Sequence, residues 1–256
     1  MPEFDPGPTA AFADLLSQVP DPPDPLAFWF DWGPIFYRGR LDGTARGRRP
    51  PPAPGPTERI ANRNLVGNAG QRVQGFLTKL GLTRSYVCLN AWAYALHPSQ
   101  SFPMKDRLAD PEQSQWRNAV YDRATDRSLQ AIVPMGLMAQ EAVRQWTSRP
   151  DAQVVEIPHP SSHDEAVLLE KWRAAITLLR SVVTPDEDGD NTGPNYGTVF
   201  EESDHAPIPR RDLPFGVPDF LGDDAWVRAL PGKKMNSVNR PDPDDRHTLL
   251  WKAPVS

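Results

Sequence analysis

Residues 153–183, QVVEIPHPSSHDEAVLLEKWRAAITLLRSVV, decide the fold because a strand signal is followed directly by a helix signal. The β-branched residues within QVVEI at 153–157 predict a strand, which Pro158 and Pro160 bring to an end. Between residues 164 and 183 the apolar side chains recur at helical spacing, which predicts an amphipathic helix. A strand that leads into a helix is the repeating unit of a parallel sheet.

The same two signals alternate in the preceding part of the chain. Apolar spacing and turn residues predict, in order, a helix over 68–80, a buried strand over 85–91, a helix over 116–129, a short strand over 129–136 and a helix over 137–146. We therefore predict the α/β class. The expected architecture is a three-layer sandwich with a short, about four-stranded parallel sheet. Helices are expected on both of its faces.

Proline content predicts irregular arms around this centre, since the chain has 30 prolines and only 17 glycines. We expect an irregular N-terminal arm over residues 1–27, a central domain over 28–183 and an acidic, proline-rich tail over 184–256. Within the domain, residues 47–56, GRRPPPAPGP, are expected to form neither a helix nor a central strand.

Composition narrows the function classes. The single cysteine, Cys88, excludes a disulfide framework, a cysteine-based zinc site and an iron-sulfur cluster, and we expect no metal and no cofactor. No apolar run approaches the roughly 18 residues of a membrane helix, and the start MPEFDPG lacks a basic head, so we expect a cytoplasmic protein without membrane contact. The net charge is +1 over residues 1–184 and −6 over residues 185–256, so the acidity lies in the tail. The net charge therefore does not exclude a nucleic-acid partner.

Two predicted strands end in polar residues, Asn90 and His159. In a parallel sheet the ligand site gathers at the carboxyl ends of the strands. An isolated Asn at this place is usually a turn or cap residue, and an isolated His is usually structural. Their joint position at two strand ends of one sheet favours a site.

Three strings of residues add a family resemblance. They are LVGNAGQ at 65–71, which opens a helix, LN at 89–90, which ends a strand, and HPSS at 159–162, which follows a strand. In this order and spacing they resemble the uracil-DNA glycosylase superfamily, in particular the branch that includes the iron-sulfur, thermophile-type enzymes. The resemblance covers about residues 28–183.

The resemblance implies a protein that binds uracil-containing DNA, single- or double-stranded, and hydrolyses the bond between deoxyribose and uracil or a related deaminated base. It implies that His159 is catalytic and stabilises the departing base. The implied base-binding residues are Asn90, Leu65, Pro54 and Gly55. The implied DNA contacts are Ser161, Ser162, Gly70 and Gln71. N-capping of the helix that begins near Asp164 is the alternative role for the two serines.

The chain departs from the family at its first motif, an aliphatic strand that ends in Gly-Gln-Asp-Pro or Gly-Glu-Ala-Pro-Gly. Only Pro54 and Gly55 remain of that ending, and residues 47–50 replace the strand. Leu65 stands where the thermophile-type branch has a Phe that stacks on uracil, and the cluster-binding cysteines are absent. Three interpretations of the protein therefore remain: a glycosylase with impaired activity, a non-catalytic DNA-binding or damage-sensing protein, and a poorly folded relic.

Overall fold

The computed structural model describes residues 4–217, except 31–32, 36, 42–46, 50–57, 59–60, 101–102 and 126–127, together with residues 238–239 and 250–251. In this part the α-helices are α1 (Ala10–Ser17), α2 (Asn68–Lys79), α3 (Pro111–Arg123), α4 (Leu137–Arg144) and α5 (Glu165–Leu179). The strands are β1 (Tyr37–Gly39), β2 (Gly47–Arg49), β3 (Tyr86–Leu89), β4 (Ala131–Ile132), β5 (Gln153–Val154), β6 (Val238–Asn239) and β7 (Leu250–Trp251). None of the helices described is long and apolar enough to cross a membrane.

Five of the strands form one sheet in the order β1-β3-β2-β4-β5. The neighbours β3-β2, β2-β4 and β4-β5 are parallel, whereas β1 pairs with β3 in the antiparallel sense. β6 and β7 form a separate antiparallel pair. The α/β class is thus confirmed. The sheet is mixed rather than wholly parallel, because β1 adds an antiparallel edge strand.

The strand β2 corrects the prediction for residues 47–56. Gly47 pairs with Tyr86 on one side and Ala131 on the other, so β2 is central in the sheet. Residues 47–49 precede the first proline of the segment, so each has the backbone N–H that a ladder needs. The prediction was wrong for these three residues, and residues 50–56 lie outside the described part. The alternative of a poorly folded relic was based on the absence of a central strand. Because β2 is present, that reason no longer applies.

The sheet separates two hydrophobic clusters. Because successive strand side chains point to opposite faces, Val87 and Leu89 join one cluster while Tyr86 and Cys88 join the other. The first cluster contains side chains of α1, α3 and α4, and the second contains side chains of α2 and α5. Helices therefore cover both faces of the sheet.

The helix predictions hold best where the apolar spacing is regular. α2 ends one residue before the predicted end at residue 80, and α5 begins directly after Asp164, whose side chain accepts a hydrogen bond from the N–H of Val167 at 3.1 Å. Asp164 is thus the N-cap, and the alternative role of Ser161 and Ser162 as caps is wrong. α3 begins at Pro111, five residues earlier than predicted, because proline suits the first helical position.

The described parts of both arms, residues 4–27 and 184–217, pack on the central domain. In the N-terminal arm, α1 places Phe12 in the first hydrophobic cluster. We call residues 184–217 the C-terminal segment. Its Tyr196 and Leu213 are buried, and its Asp186 accepts hydrogen bonds from the N–H groups of residues 83–85. The domain boundary at residue 183 stays a prediction. Packed residues continue beyond it as far as Val217.

A buried ion pair joins the C-terminal segment to the sheet. The guanidinium of Arg38, on β1, is fully buried and donates to the carboxylate of Asp212 at 2.8 Å. Arg38 also donates to the side-chain oxygen of Gln74 on α2 at 2.8 Å. The hydroxyl of Tyr86 on β3 donates to the same Asp212 oxygen at 2.6 Å. Four separate parts of the chain therefore meet at one charge pair.

We expect Asp212→Asn to lower the free energy of unfolding by about 3–5 kcal/mol, because it leaves the Arg38 charge buried without its counter-ion. Urea denaturation followed by tryptophan fluorescence measures this loss. Asp188→Asn is the matched control, since it breaks an ion pair with Arg84 at the surface and should change little. Equal losses in the two variants would contradict a special role for the buried pair.

Candidate functional site

His159 lies in a tight turn at the carboxyl ends of β4 and β5. The N–H of Ser162 donates to the carbonyl of His159 at 2.9 Å, with Pro160 in the second position of the turn. The N–H of Gly136 donates to the carbonyl of Ile157 at 2.8 Å, which ties the two strand ends together. Gly136 has φ of +83°, and a Cβ there would lie 3.0 Å from the Cβ of His159. The glycine therefore lets the two loops approach closely.

Two features of the structure favour a neutral His159 ring with its proton on Nε2. Burial lowers the pKa of His159 to about 4, because the charged imidazolium loses its hydration. The backbone N–H of Ser161 donates to Nδ1 at 3.1 Å, so Nδ1 is an acceptor. The proton of the neutral ring is therefore on Nε2. At neutral pH His159 presents one uncharged N–H donor.

Two side chains hold the backbone on either side of His159. The indole Nε1 of Trp172, on α5, donates to the carbonyl of Pro158 at 3.1 Å. Nη1 of Arg72, on α2, donates to the carbonyl of Pro160 at 3.0 Å. The two helices on this face of the sheet thus fix the turn that contains His159.

Asn90 directly follows β3, and its neighbours orient its carboxamide. Nδ2 donates to the carbonyl of Ile35 at 2.6 Å, and Oδ1 accepts from Nδ2 of Asn64 at 3.4 Å. Nδ2 of Asn64 also donates to the carbonyl of Cys88 at 3.2 Å. A carboxamide has two N–H groups and two acceptor lone pairs, so Asn90 retains the capacity for one further donor and one further acceptor contact.

The loop before α2 packs tightly at the same edge of the sheet. Leu65 is buried and left-handed, with φ of +52°. A Cβ at Gly70 would lie 1.7 Å from the carbonyl oxygen of Leu65, so this packing requires a glycine. One carboxylate oxygen of Glu58 accepts the N–H groups of Val66 and Gly67 at 2.9 and 3.0 Å. Glu58 therefore fixes the entry into α2.

The predicted DNA contacts differ in exposure. Ser161 is exposed and Ser162 is half-buried, so the hydroxyl of Ser161 lies at the surface beside the His159 turn. Gly70 and Gln71 are buried, so DNA could reach them only if the surrounding loop moved. These contacts stay predictions. The predicted base-binding residues Pro54 and Gly55 lie outside the described residues.

A path of two hydrogen bonds, one close backbone approach and neighbouring residues links Asn90 with the His159 turn. From Asn90 it passes through Asn64 to Leu65 and Gly70, and from α2 it passes through Arg72 to the His159 turn. Sequence reasoning missed Asn64 and Arg72. Asn64 directly precedes the string LVGNAGQ and Arg72 directly follows it, so one more residue at each end would have included both.

Comparison with known proteins adds no family assignment. No family model matches the chain, and no curated protein matches it. Within the described ranges, no group of three His, Cys, Asp or Glu side chains is placed to hold a metal ion.

We expect the His159 ring to stay neutral, with the proton on Nε2, at pH 5.5, because its folded pKa is about 4 against 6.5 for an ordinary histidine. Between pH 4 and pH 6.5 the unfolded chain binds more protons at this histidine than the folded chain does. His159 therefore costs no stability above pH 6.5, and it lowers the free energy of unfolding as the pH falls from 6.5 towards 4. A titration of the imidazole ¹⁵N signals by NMR, with the urea-unfolded chain as the reference, measures both states. A midpoint near 6.5 in the folded protein would contradict this assignment.

Proposed function

We propose that the chain is a DNA glycosylase-like hydrolase that breaks the N-glycosidic bond of uracil, or of a related deaminated base, in DNA. The observation that carries this proposal is the hydrogen bond from the Ser161 N–H to Nδ1 of His159, which places the proton of the neutral ring on Nε2 as a donor. Its place at the carboxyl ends of parallel strands, together with the three residue strings around it, supports the same function.

The proposed reaction needs a donor of this type. The bond between C1′ of the sugar and N1 of uracil breaks, and its electron pair leaves with the base. The oxygen of a water molecule bonds to C1′, and a proton of that water passes to solvent. Negative charge develops on the uracil oxygens as the base departs. A fixed N–H at Nε2 of His159 would stabilise this charge most in the transition state.

Asn90 suits recognition of the uracil edge. Uracil presents a carbonyl oxygen beside an N–H, and the remaining donor and acceptor capacity of Asn90 complements that pair. Cytosine presents an amino group beside an acceptor nitrogen, which is the opposite order. Because Ile35 and Asn64 fix the carboxamide, it cannot rotate to suit cytosine without losing both bonds. A carboxamide held in this orientation would therefore favour uracil.

One observation favours a second function, binding of a damaged base without cleavage. Hydrolysis needs a group that positions the attacking water. The buried carboxylate of Glu58 already accepts two backbone N–H groups, which suits it to hold the loop rather than to act on water. Two assays separate the alternatives. A gel shift that compares uracil-containing with ordinary single strands detects recognition, and alkali-labile abasic product detects cleavage.

We expect His159→Ala to lower the rate of uracil excision about 100-fold to 1000-fold, the usual effect of removing a preorganised donor from a developing negative charge. Single-turnover assays on a uracil-containing oligonucleotide measure the rate. His163→Ala, which changes an exposed histidine four residues away, is the control and should excise at the parent rate. An unchanged rate in His159→Ala would remove His159 from the mechanism.

We expect Asn90→Asp to change the ratio of excision rates for uracil and cytosine, because the carboxylate lacks the amide donor. The variant should also unfold more easily, since the new oxygen faces the carbonyl of Ile35, at a cost of about 1–3 kcal/mol or more. The ratio is the decisive measurement, because a loss of folded protein lowers both rates equally. A ratio equal to that of the parent would show that Asn90 does not read the base.

A further inference from the structure

Phe200 lies in the C-terminal segment, outside the residues that carry the family resemblance. Its ring is half-buried and packs against both side chains that hold the His159 turn. The guanidinium carbon of Arg72 lies 4.0 Å from the centre of the Phe200 ring. The indole of Trp172 meets the same ring edge to face, with centroids 5.9 Å apart and an interplanar angle of 87°. One ring thus supports both donors.

These two donors bracket His159 in the chain. Trp172 holds the carbonyl of Pro158, and Arg72 holds the carbonyl of Pro160. A displacement of either donor would move the backbone next to His159. The direction of Nε2 depends on that backbone and on the Ser161 N–H that binds Nδ1. Phe200 can therefore act on His159 without touching it.

Apart from its bond to the Pro160 carbonyl and its contact with the Phe200 ring, Arg72 has one weak contact among the residues described. Its ion pair with Glu165 is long, 3.4 Å, and the Glu165 side chain is 46% exposed, so water competes for it. Nε of Arg72 is buried and has no hydrogen-bond partner in the part of the chain that the structure describes. A guanidinium on an aromatic face is attracted by the ring quadrupole, more strongly when it is partly desolvated. Removal of the ring would take away one of the restraints on the Arg72 rotamer and weaken its hold on the Pro160 carbonyl.

We propose that Phe200 is a positioning residue for His159 and acts through Arg72 and Trp172. The C-terminal segment is then part of the site, although it contributes no group that touches the substrate. The expected effect on excision rests on the proposed glycosylase function. The expected effect on the His159 ring does not, because it is a property of the folded protein alone.

Phe200→Ala tests the proposal, and Phe215→Ala is the matched control. Phe215 lies in the same segment, its side chain is 84% exposed and it packs on Phe4. In Phe200→Ala we expect the His159 ¹⁵N signals and the Ser161 amide signal to shift away from the parent positions. We also expect kcat for uracil excision to fall about 10-fold, as for a reacting group displaced by a fraction of an ångström, with KM unchanged. The control should match the parent in every measurement.

Phe200→Leu keeps most of the apolar volume but lacks a ring face, and Phe200→Trp keeps a ring face. If Phe200→Ala does not fold, these two variants test the proposal instead. Phe200→Leu should show shifted His159 signals, and Phe200→Trp should show them at the parent positions. Parent signals of His159 and Ser161 in a folded variant without a ring would overturn the proposal. If the parent protein excises no uracil, the glycosylase function fails, while the NMR result still decides the role of Phe200.

Discussion

The buried charge of Arg38 is the constraint on which the rest of the fold depends. A guanidinium without solvent contact is tolerated only when a carboxylate and further acceptors surround it, and here these come from α2 and from a segment 174 residues later in the chain. Without Asp212, β1 would hold an uncompensated charge between the sheet and α2. The C-terminal segment is therefore an integral layer of the fold, despite its acidic and proline-rich composition.

That requirement also explains how a segment with little regular structure keeps a fixed position. Between residues 184 and 217 it forms only two short 3-10 helices, Glu202–Asp204 and Arg210–Asp212. It is held instead by separate polar anchors, with Asp186 on the N–H groups of residues 83–85 and the Asp204 carboxylate on Lys79 at 2.9 Å. Gly75 on α2 admits the backbone of Asp204, since a Cβ there would lie 1.9 Å from its carbonyl oxygen. Anchors of this kind restrain Tyr196 and Phe200 between them.

The parts of the fold that could be predicted from the sequence are those whose determinants are local. α2 and α5 follow from apolar spacing over a few turns, and Asn90 and His159 are indicated by their place after predicted strands. β2 could not be predicted, because its three residues form a strand only by pairing with Tyr86 and Ala131, and the prolines after them dominate the composition. The partnership of Arg38 with Asp212 likewise has no local signal. Composition indicates whether a segment is regular, but it does not indicate whether that segment is packed.

The electrostatics of the site follow from the same geometry. The two side chains proposed to contact the base are an imidazole whose pKa is lowered by burial and an uncharged carboxamide, whereas the charges of Arg72 and Glu58 are engaged in holding the loops. A cation at this position would attract the phosphates of any DNA strand and would bind substrate and transition state alike. An uncharged, fixed N–H interacts weakly with the intact base and strongly with the anion that departs. For the proposed reaction, the depressed pKa of His159 is therefore an advantage, because it confines the favourable interaction to the step in which charge appears.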